Sequence, residues 1–184
     1  CWQFKYQNDR DEWSKVPIDA KNGNYASHVD ADTWATFDAA VDYYEREDTN
    51  VDGLGYVFHD ENMVVGIDLD DCRDPDSGDL DPWAAEVVDE IDTYTETSPS
   101  GTGLHLIGLG SMPDDSTRGD IDGAEGHIEI YETKRYFTVT GATLSDSPPD
   151  VREVNDGIKS IYKKHIYDAD DALADEGSTA DAEA

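Results

Sequence analysis

The sequence predicts an α+β domain built around a mixed sheet, and three observations carry that expectation. Short runs that alternate apolar and polar residues recur along the chain, as strands with one buried face require. Stretches with apolar residues at helical spacing interleave with them. A hairpin pattern stands at each end of the series, which favours an α+β or mixed sheet over a doubly wound parallel one.

Taken in order, Trp2-Gln3-Phe4-Lys5-Tyr6 alternates like a strand, and residues 13–18 read as its hairpin partner across a polar turn. A helix follows, capped by Asp32, with Trp34, Phe37, Val41 and Tyr44 on one face and expected in the core. Residues 53–58 read as a strand, and 59–62 as the turn into Val64-Val65-Gly66-Ile67-Asp68-Leu69-Asp70. Residues 71–81 form a polar loop in which Asp74, Asp76 and Gly78 superficially resemble a calcium loop. That reading fails, because Gly78 stands at the third ligand position and Ala85 in place of the closing Glu.

Asp81-Pro82 opens a second helix with Trp83, Val87, Val88 and Ile91 as its buried stripe. Residues 94–97 and 104–109 are strands on either side of the tight loop Ser98-Pro99-Ser100-Gly101-Thr102-Gly103. A polar connector over 112–126 leads to a hairpin of 127–131 and 136–140. Ser147-Pro148-Pro149-Asp150 then caps a last helix over about 151–166, where Lys159, Lys163 and Lys164 gather. Residues 1–166 are thus expected to form one domain. The segment 167–184, rich in Asp, Ala, Glu, Gly, Ser and Thr, is expected to be an acidic disordered tail or linker.

Forty-four acidic residues against 13 basic ones give a net charge of −31. Such a balance usually argues against a polyanionic partner. Here the acid, mostly Asp, is spread through the whole chain while the apolar periodicity survives. That is the composition of a folded protein adapted to molar intracellular salt, as in halophilic archaea. At about 1 M salt the Debye length is ~3 Å, so the net charge does not veto a nucleic-acid partner; at low salt the same charge should destabilise the fold. Two cysteines, Cys1 and Cys72, make no disulfide framework and no CxxC motif, and Cys72 reads as a small core filler. No run is long enough to span a membrane and no secretory pattern is present, so a cytoplasmic setting without a membrane partner is expected. A chain that opens at Cys1 without Met is expected to be a trimmed piece.

Three clusters carry chemistry. On a strand Asp68 and Asp70 point the same way, roughly 7 Å apart. Two such carboxylates repel unless a cation sits between them, and hard cations such as Mg²⁺ choose oxygen ligands of this kind; an acidic turn is the plain alternative. In the second cluster, Ser100, Gly101 and Gly103 form a small-residue loop whose amides suit an anion, with His105 opening the next strand. Read plainly, the loop is a turn and His105 a structural residue. In the third, Glu129 lies between Ile128 and Ile130, a costly place for a carboxylate on a buried face without a partner. A metal shared with Asp68 and Asp70 resolves that cost, and so does a solvent-facing position. Arg135, scarce in this chain, either grips a phosphate with its planar fork or pairs with a neighbouring acid.

Apolar-Asp-x-Asp (Asp68, Asp70), then Ser-Gly-x-Gly-x-His (Ser100 to His105), then an apolar-Glu strand (Glu129) followed by Arg135-Tyr-Phe-Thr-Val-Thr-Gly141 resembles the archaeo-eukaryotic primase superfamily, in particular its phage- and plasmid-encoded primase-polymerases. Residues 13–17, Gly23, Ala26-Ser27, Thr33-Trp34 and Gly53-Leu54-Gly55 resemble that group's lead-in, so the likeness covers roughly residues 2–141. It implies an RRM-like catalytic core next to an N-terminal α/β unit, and DNA-templated nucleotidyl transfer in the replication of a virus, plasmid or integrated element. It further implies that Asp68, Asp70 and Glu129 hold two divalent ions, Mg²⁺ or Mn²⁺, and that Ser100, Gly101, Gly103, His105 and Arg135 bind nucleotide phosphates. The implied partners are template DNA, nucleoside triphosphates and a C-terminal helical or helicase domain of a longer protein. Three rivals remain: an inactive primase-like domain that binds DNA, a metal nuclease, and a calcium-binding module. In sequence no Lys general base stands beside the acids, which counts against the nuclease.

Overall fold

A computed structural model describes residues 1–8, 11–115 and 117–167; the expected tail, from 168 onward, lies outside them. Nine strands and three helices are assigned among these residues, with a fold of the α+β class. The N-terminal hairpin forms as expected, β1 (Trp2–Gln7) pairing antiparallel with β2 (Glu12–Pro17).

The centre is a five-stranded sheet of order β5-β6-β4-β8-β7, made from β4 (Val64–Asp70), β5 (Tyr94–Thr97), β6 (Leu104–Leu109), β7 (Arg118–Asp120) and β8 (His127–Tyr131). Every pairing in it is antiparallel. The four strands β5-β6-β4-β8 stand in the order of a βαββαβ, RRM-type sheet, with the first helix, α2 (Pro82–Ile91), crossing from β4 to β5. The second helix, α3 (Asn155–His165), follows β8 in the chain instead of preceding it.

Alternation along β4 builds both faces. Val65, Ile67 and Leu69 point to one side, where they pack with Leu104, Leu106, Ile128 and Ile130 against Ala84, Val87 and Ile91 of α2 and Ile158, Ile161 and Tyr162 of α3. Gly66, Asp68 and Asp70 point to the other. Pro82 at the first turn opens α2, and Asp92, in the left-handed region at φ 44°, ends it.

Four expectations are corrected. Residues 127–131 and 136–140 do not form a hairpin. After β8 the chain turns at Lys134, with φ 53°, and β9 (Arg135–Val139) leaves to pair with β3 (Leu54–Phe58) in a separate two-stranded sheet. The polar connector contains a strand, β7, which pairs with β8. Finally, Thr36 and not Asp32 caps the first helix, α1 (Phe37–Tyr44), its hydroxyl accepting from the Ala39 amide. Asp32 lies in a 3-10 turn, Ala31–Thr33, and Trp34 precedes the helix, its indole N–H donating to the Ser27 carbonyl. The expected aromatic stripe is no core: α1 buries no residue, and Phe37 is 74% exposed.

The β3-β9 sheet covers the start of β4 on its open face. Phe58 and Phe137 meet edge to face, ring centroids 4.8 Å apart, directly over Gly66. A Cβ at that glycine would lie 2.3 Å from Phe58 Cζ and 2.5 Å from Phe137 Cε2, so only glycine admits the two rings. Among the described residues no helix is long and apolar enough to cross a membrane.

Candidate active site on the open face of the sheet

The open face carries a row of polar residues that the register lines up across the strands. Glu96 of β5 pairs with His105 of β6, His105 with Asp68 of β4, Asp68 with Glu129 of β8, and Glu129 with Arg118 of β7. Two residues along, Asp70 pairs with His127. Side chains of directly opposed residues share a face, so the alternation that buries Ile128 and Ile130 gathers Asp68, Asp70 and Glu129, as expected.

Asp70, His127 and Glu129 each offer a ligand atom within 4.8 Å of the others, with His127 Nε2 at 3.0 Å from Asp70 Oδ2. His127 is a residue the sequence reading missed, although its place two residues before Glu129 on one strand put it on the same face. Glu129 also has cationic partners: Arg135 lies 3.2 Å from its Oε2, Arg118 3.5 Å from its Oε1, and the Tyr131 hydroxyl donates to it at 2.9 Å. Of the alternatives for Arg135, pairing with an acid is the one seen, its guanidinium also lying over the Tyr131 ring.

Asp68 is the least satisfied of the acids. Its Oδ1 is buried with no hydrogen-bond partner, and His105 Nε2 stands 3.7 Å away. Burial, ahead of every nearby charge, pushes its carboxyl up to about 6; His105 and Arg135 pull it down, while Asp70 and Glu129 push it up.

His105 is held from behind. Its Nδ1 lies 3.0 Å from the Thr138 carbonyl, which makes that nitrogen the N–H donor, and its ring stacks on Phe137 at 4.8 Å. Glu96, fully buried, approaches the same Nδ1 at 3.7 Å and accepts the Thr140 and Gly141 amides and the Tyr94 hydroxyl. Burial would raise this carboxyl, but His105 and these donors together hold it below the usual carboxylate range. No sequence signal marked Glu96, which sits in an unremarkable Thr-Glu-Thr run.

A cleft of about 240 Å³ opens between this face and the N-terminal unit, lined by Lys15, His28, Asp68, His105, Arg135 and Tyr136 among others. Burial, helped by Arg135, holds Lys15 below its ordinary value against the pull of Asp68 and Asp70. The expectation that no lysine stands beside the acids is therefore corrected: β2 delivers one from far away in sequence.

The loop of Ser100, Gly101 and Gly103 lies at the end of β4. A Cβ on Gly103 would come 2.6 Å from the Leu69 carbonyl and 3.6 Å from Asp70 Cα, so this glycine lets the loop close on the acid strand. Gly101 takes φ +81°, and Arg73 anchors its carbonyl at 2.8 Å. The Gly101 amide donates to Ser98 O and the Thr102 amide to Ser100 Oγ, so these two are occupied within the loop. The structure thus gathers His105 and Arg135 in the cleft and sets Gly103 beside Asp70, while Gly101 faces Pro75 and none of Ser100, Gly101 and Gly103 lines the cleft. Asp74 Oδ1 accepts the Asp76 and Ser77 amides of a turn. Cys72 is buried, its thiol pushed up to about 12 chiefly by burial, as befits a filler.

Fold and site together define an α+β domain that gathers clustered carboxylates, two histidines and two arginines on the open face of an RRM-type sheet, with Asp68, His105 and Arg135 lining a cleft. No protein-family model matches the chain. A curated protein, the DNA primase-polymerase of Nitratiruptor phage NrS-1, is 35% identical to it over 170 residues, which is 91% of this chain. The chain is kin to phage primase-polymerases, as its motifs indicated, and spans 23% of that relative's length.

Proposed function

We propose that this domain is the catalytic unit of a DNA-templated nucleotidyltransferase, a primase or DNA polymerase, serving the replication of a virus, plasmid or integrated element. One observation carries the reading most: Glu129, far along the chain from Asp68 and Asp70, shares one face of one sheet with them beside His105 and Arg135.

Divalent ions fit the residues present. Asp68 offers a buried oxygen without a partner, and Asp70, His127 and Glu129 bring further donors close together. In this reading Asp68, Asp70 and Glu129 hold two ions, Mg²⁺ or Mn²⁺, with His127 as an added ligand that suits Mn²⁺ better. Bound there, such ions lower the pKa of an attacking 3′-hydroxyl and neutralise the leaving pyrophosphate. The chain's own part is positioning and charge. His105, with Nδ1–H fixed on Thr138 O, turns Nε2 toward the cleft, where its protonated form donates to a phosphate oxygen. Arg135 and Lys15 add positive charge at the cleft wall, where the planar fork of Arg135, here paired with Glu129, is within reach of a phosphate. The Ser100–Gly103 loop, beside Asp70, completes the nucleotide site in this reading. Template DNA and nucleoside triphosphates are the substrates, and the uncovered three-quarters of the relative's length leaves room for a helical or helicase partner domain.

A labelled primer-template incubated with nucleoside triphosphates and Mg²⁺ or Mn²⁺ in molar KCl tests the reading. Lengthening by the wild type and none by Asp70→Asn is the expected result. The position of Lys15 gives the nuclease a footing it lacked in sequence, because a lysine of lowered pKa beside metal-binding acids suits a general base. Shortening of the label without nucleotides, lost in Lys15→Met, would replace the polymerase reading with that one.

A further inference from the structure

The β1–β2 hairpin bears an aromatic ridge for which the chemistry above has no use. On one face Trp2, Phe4 and Tyr6 alternate, and the register sets Pro17 opposite Trp2, Lys15 opposite Phe4 and Trp13 opposite Tyr6. Trp2 is buried against Gly53, but Phe4, Tyr6 and Trp13 remain 46%, 42% and 62% exposed. The Phe4 and Trp13 rings stack, centroids 5.7 Å apart and planes 20° from parallel, and Tyr6 meets Trp13 edge on at 5.6 Å. Three large rings left in contact with water on a two-stranded hairpin mark a binding surface.

Direction and charge identify the occupant. From Trp13 the same face of β2 reaches Lys15 two residues on, about 7 Å away, and Lys15 lines the cleft that holds Asp68, His105 and Arg135. The ridge therefore ends where the reacting strand must enter. The residues sharing this face, Trp2, Phe4, Tyr6, Trp13, Lys15 and Pro17, include no carboxylate, and Glu12 lies with Gln7 on the other side. Of the flanking acids, Asp11 accepts the Tyr6 hydroxyl and Asp52 the Phe4 amide. In a chain of net charge −31 a polyanion gains little from long-range attraction. Stacking of bases on rings needs no such attraction and is indifferent to sequence.

We propose that Phe4 and Trp13, flanked by Tyr6, form a stacking platform for the bases of single-stranded template DNA on its way past Lys15 into the cleft. The placement of the cleft rests on the nucleotidyltransferase reading, but strand binding is measured without nucleotides or metal and so stands or falls separately from synthesis.

The test is fluorescence anisotropy of a labelled oligothymidylate in molar KCl with wild type, Trp13→Ala, Phe4→Ala and Trp13→Phe. Alanine at Trp13 should weaken single-strand binding about tenfold or more. Trp13→Phe keeps a ring and should recover most of the loss, and a blunt duplex should bind poorly and be insensitive to all three changes. Equal affinity of wild type and Trp13→Ala for the single strand overturns the proposal. So does sedimentation showing that the ridge variants convert a dimer to a monomer, for the rings then face a second copy of the chain. If strand binding falls in Trp13→Ala while wild type extends no primer, the platform stands and the polymerase reading fails; if primers are extended with strand affinity unchanged, the reverse holds.

Discussion

Replacing Asp68 by Asn should stabilise the metal-free protein while abolishing its chemistry. The native carboxyl is buried, Oδ1 has no hydrogen-bond donor, and Asp70 and Glu129 share its face. Burial carries its pKa from 3.8 to about 6. A carboxyl raised in the folded state binds its proton more tightly there than in the unfolded chain, so wild-type stability declines as pH rises from about 4 through about 6. The full loss above that window is about 3 kcal/mol, at ~1.4 kcal/mol for each tenfold change in proton affinity. Asn removes the charge and supplies an amide donor to the neighbouring acids. In thermal denaturation with EDTA at pH 8, Asp68→Asn should melt roughly 5–10 °C above wild type, and the gap should close near pH 4. Mn²⁺ should then raise the wild-type Tm and leave that of Asp68→Asn almost unmoved, since in the proposed function the cation binds the folded state through this carboxylate. An Asp68→Asn protein no more stable than wild type at pH 8, or a gap that persists unchanged at pH 4, would refute the idea that Asp68 is held ready for a cation.

Three further predictions concern its neighbours. Glu96→Ala leaves the Thr140 and Gly141 amides and the Tyr94 hydroxyl without their acceptor, which should cost about 3–5 kcal/mol in equilibrium unfolding at pH 7. Because the Glu96 pKa is lowered by folding, that deficit should shrink as pH falls through and below the carboxylate range. His127→Ala should weaken Mn²⁺ binding about tenfold by calorimetry and change Mg²⁺ binding little, because an imidazole suits Mn²⁺ better than Mg²⁺; equal losses for both ions would remove His127 from the ligand set. Gly66→Ala drives a methyl into Phe58 and Phe137 and should cost about 1–3 kcal/mol in urea unfolding, with loss of the near-ultraviolet signal of the packed rings.

What was legible in the sequence was whatever short-range periodicity encodes. The alternation of Val65, Ile67 and Leu69 with Gly66, Asp68 and Asp70 specified both the core and the acid face of β4, and the same rule on β8 put Glu129 beside them. Pro82 announced α2 because a proline at the first turn is a local device, although the Asp81 side chain before it makes no cap bond. The failures are long-range. Nothing local distinguishes a tight hairpin from a turn at Lys134 that passes the chain to another sheet, so the partner of β9 was misjudged. The stripe of Trp34, Phe37, Val41 and Tyr44 has helical spacing, but α1 buries none of its residues, and spacing alone does not show what packs on a face. Lys15 and Glu96 reach the site through pairing partners distant in the chain, a relation that no window of sequence contains.

On the proposed function, the placement of the scarce basic residues explains how so acidic a chain would receive a polyanion. Thirteen basic residues are set against 44 acids, yet Lys15 and Arg135 line the cleft, Arg118 pairs with Glu129, and Arg73 holds the glycine loop through the Gly101 carbonyl. With a Debye length of ~3 Å at about 1 M salt, only charges in near contact act on a bound phosphate. At the cleft Lys15 and Arg135 are positive and the carboxylates beside them are those proposed to hold cations, while the acids spread over the rest of the chain are screened. At low salt the distant acids act as well, and repulsion opposes binding. Single-strand affinity should therefore rise as KCl is raised from the lowest concentration at which circular dichroism shows the fold intact. This is opposite in sign to the slope that counterion release imposes on a basic DNA-binding protein. Anisotropy titrations across that range decide the matter: an affinity that falls monotonically with KCl would mean that phosphate contacts dominate after all, and that the surface acids exert no measurable repulsion.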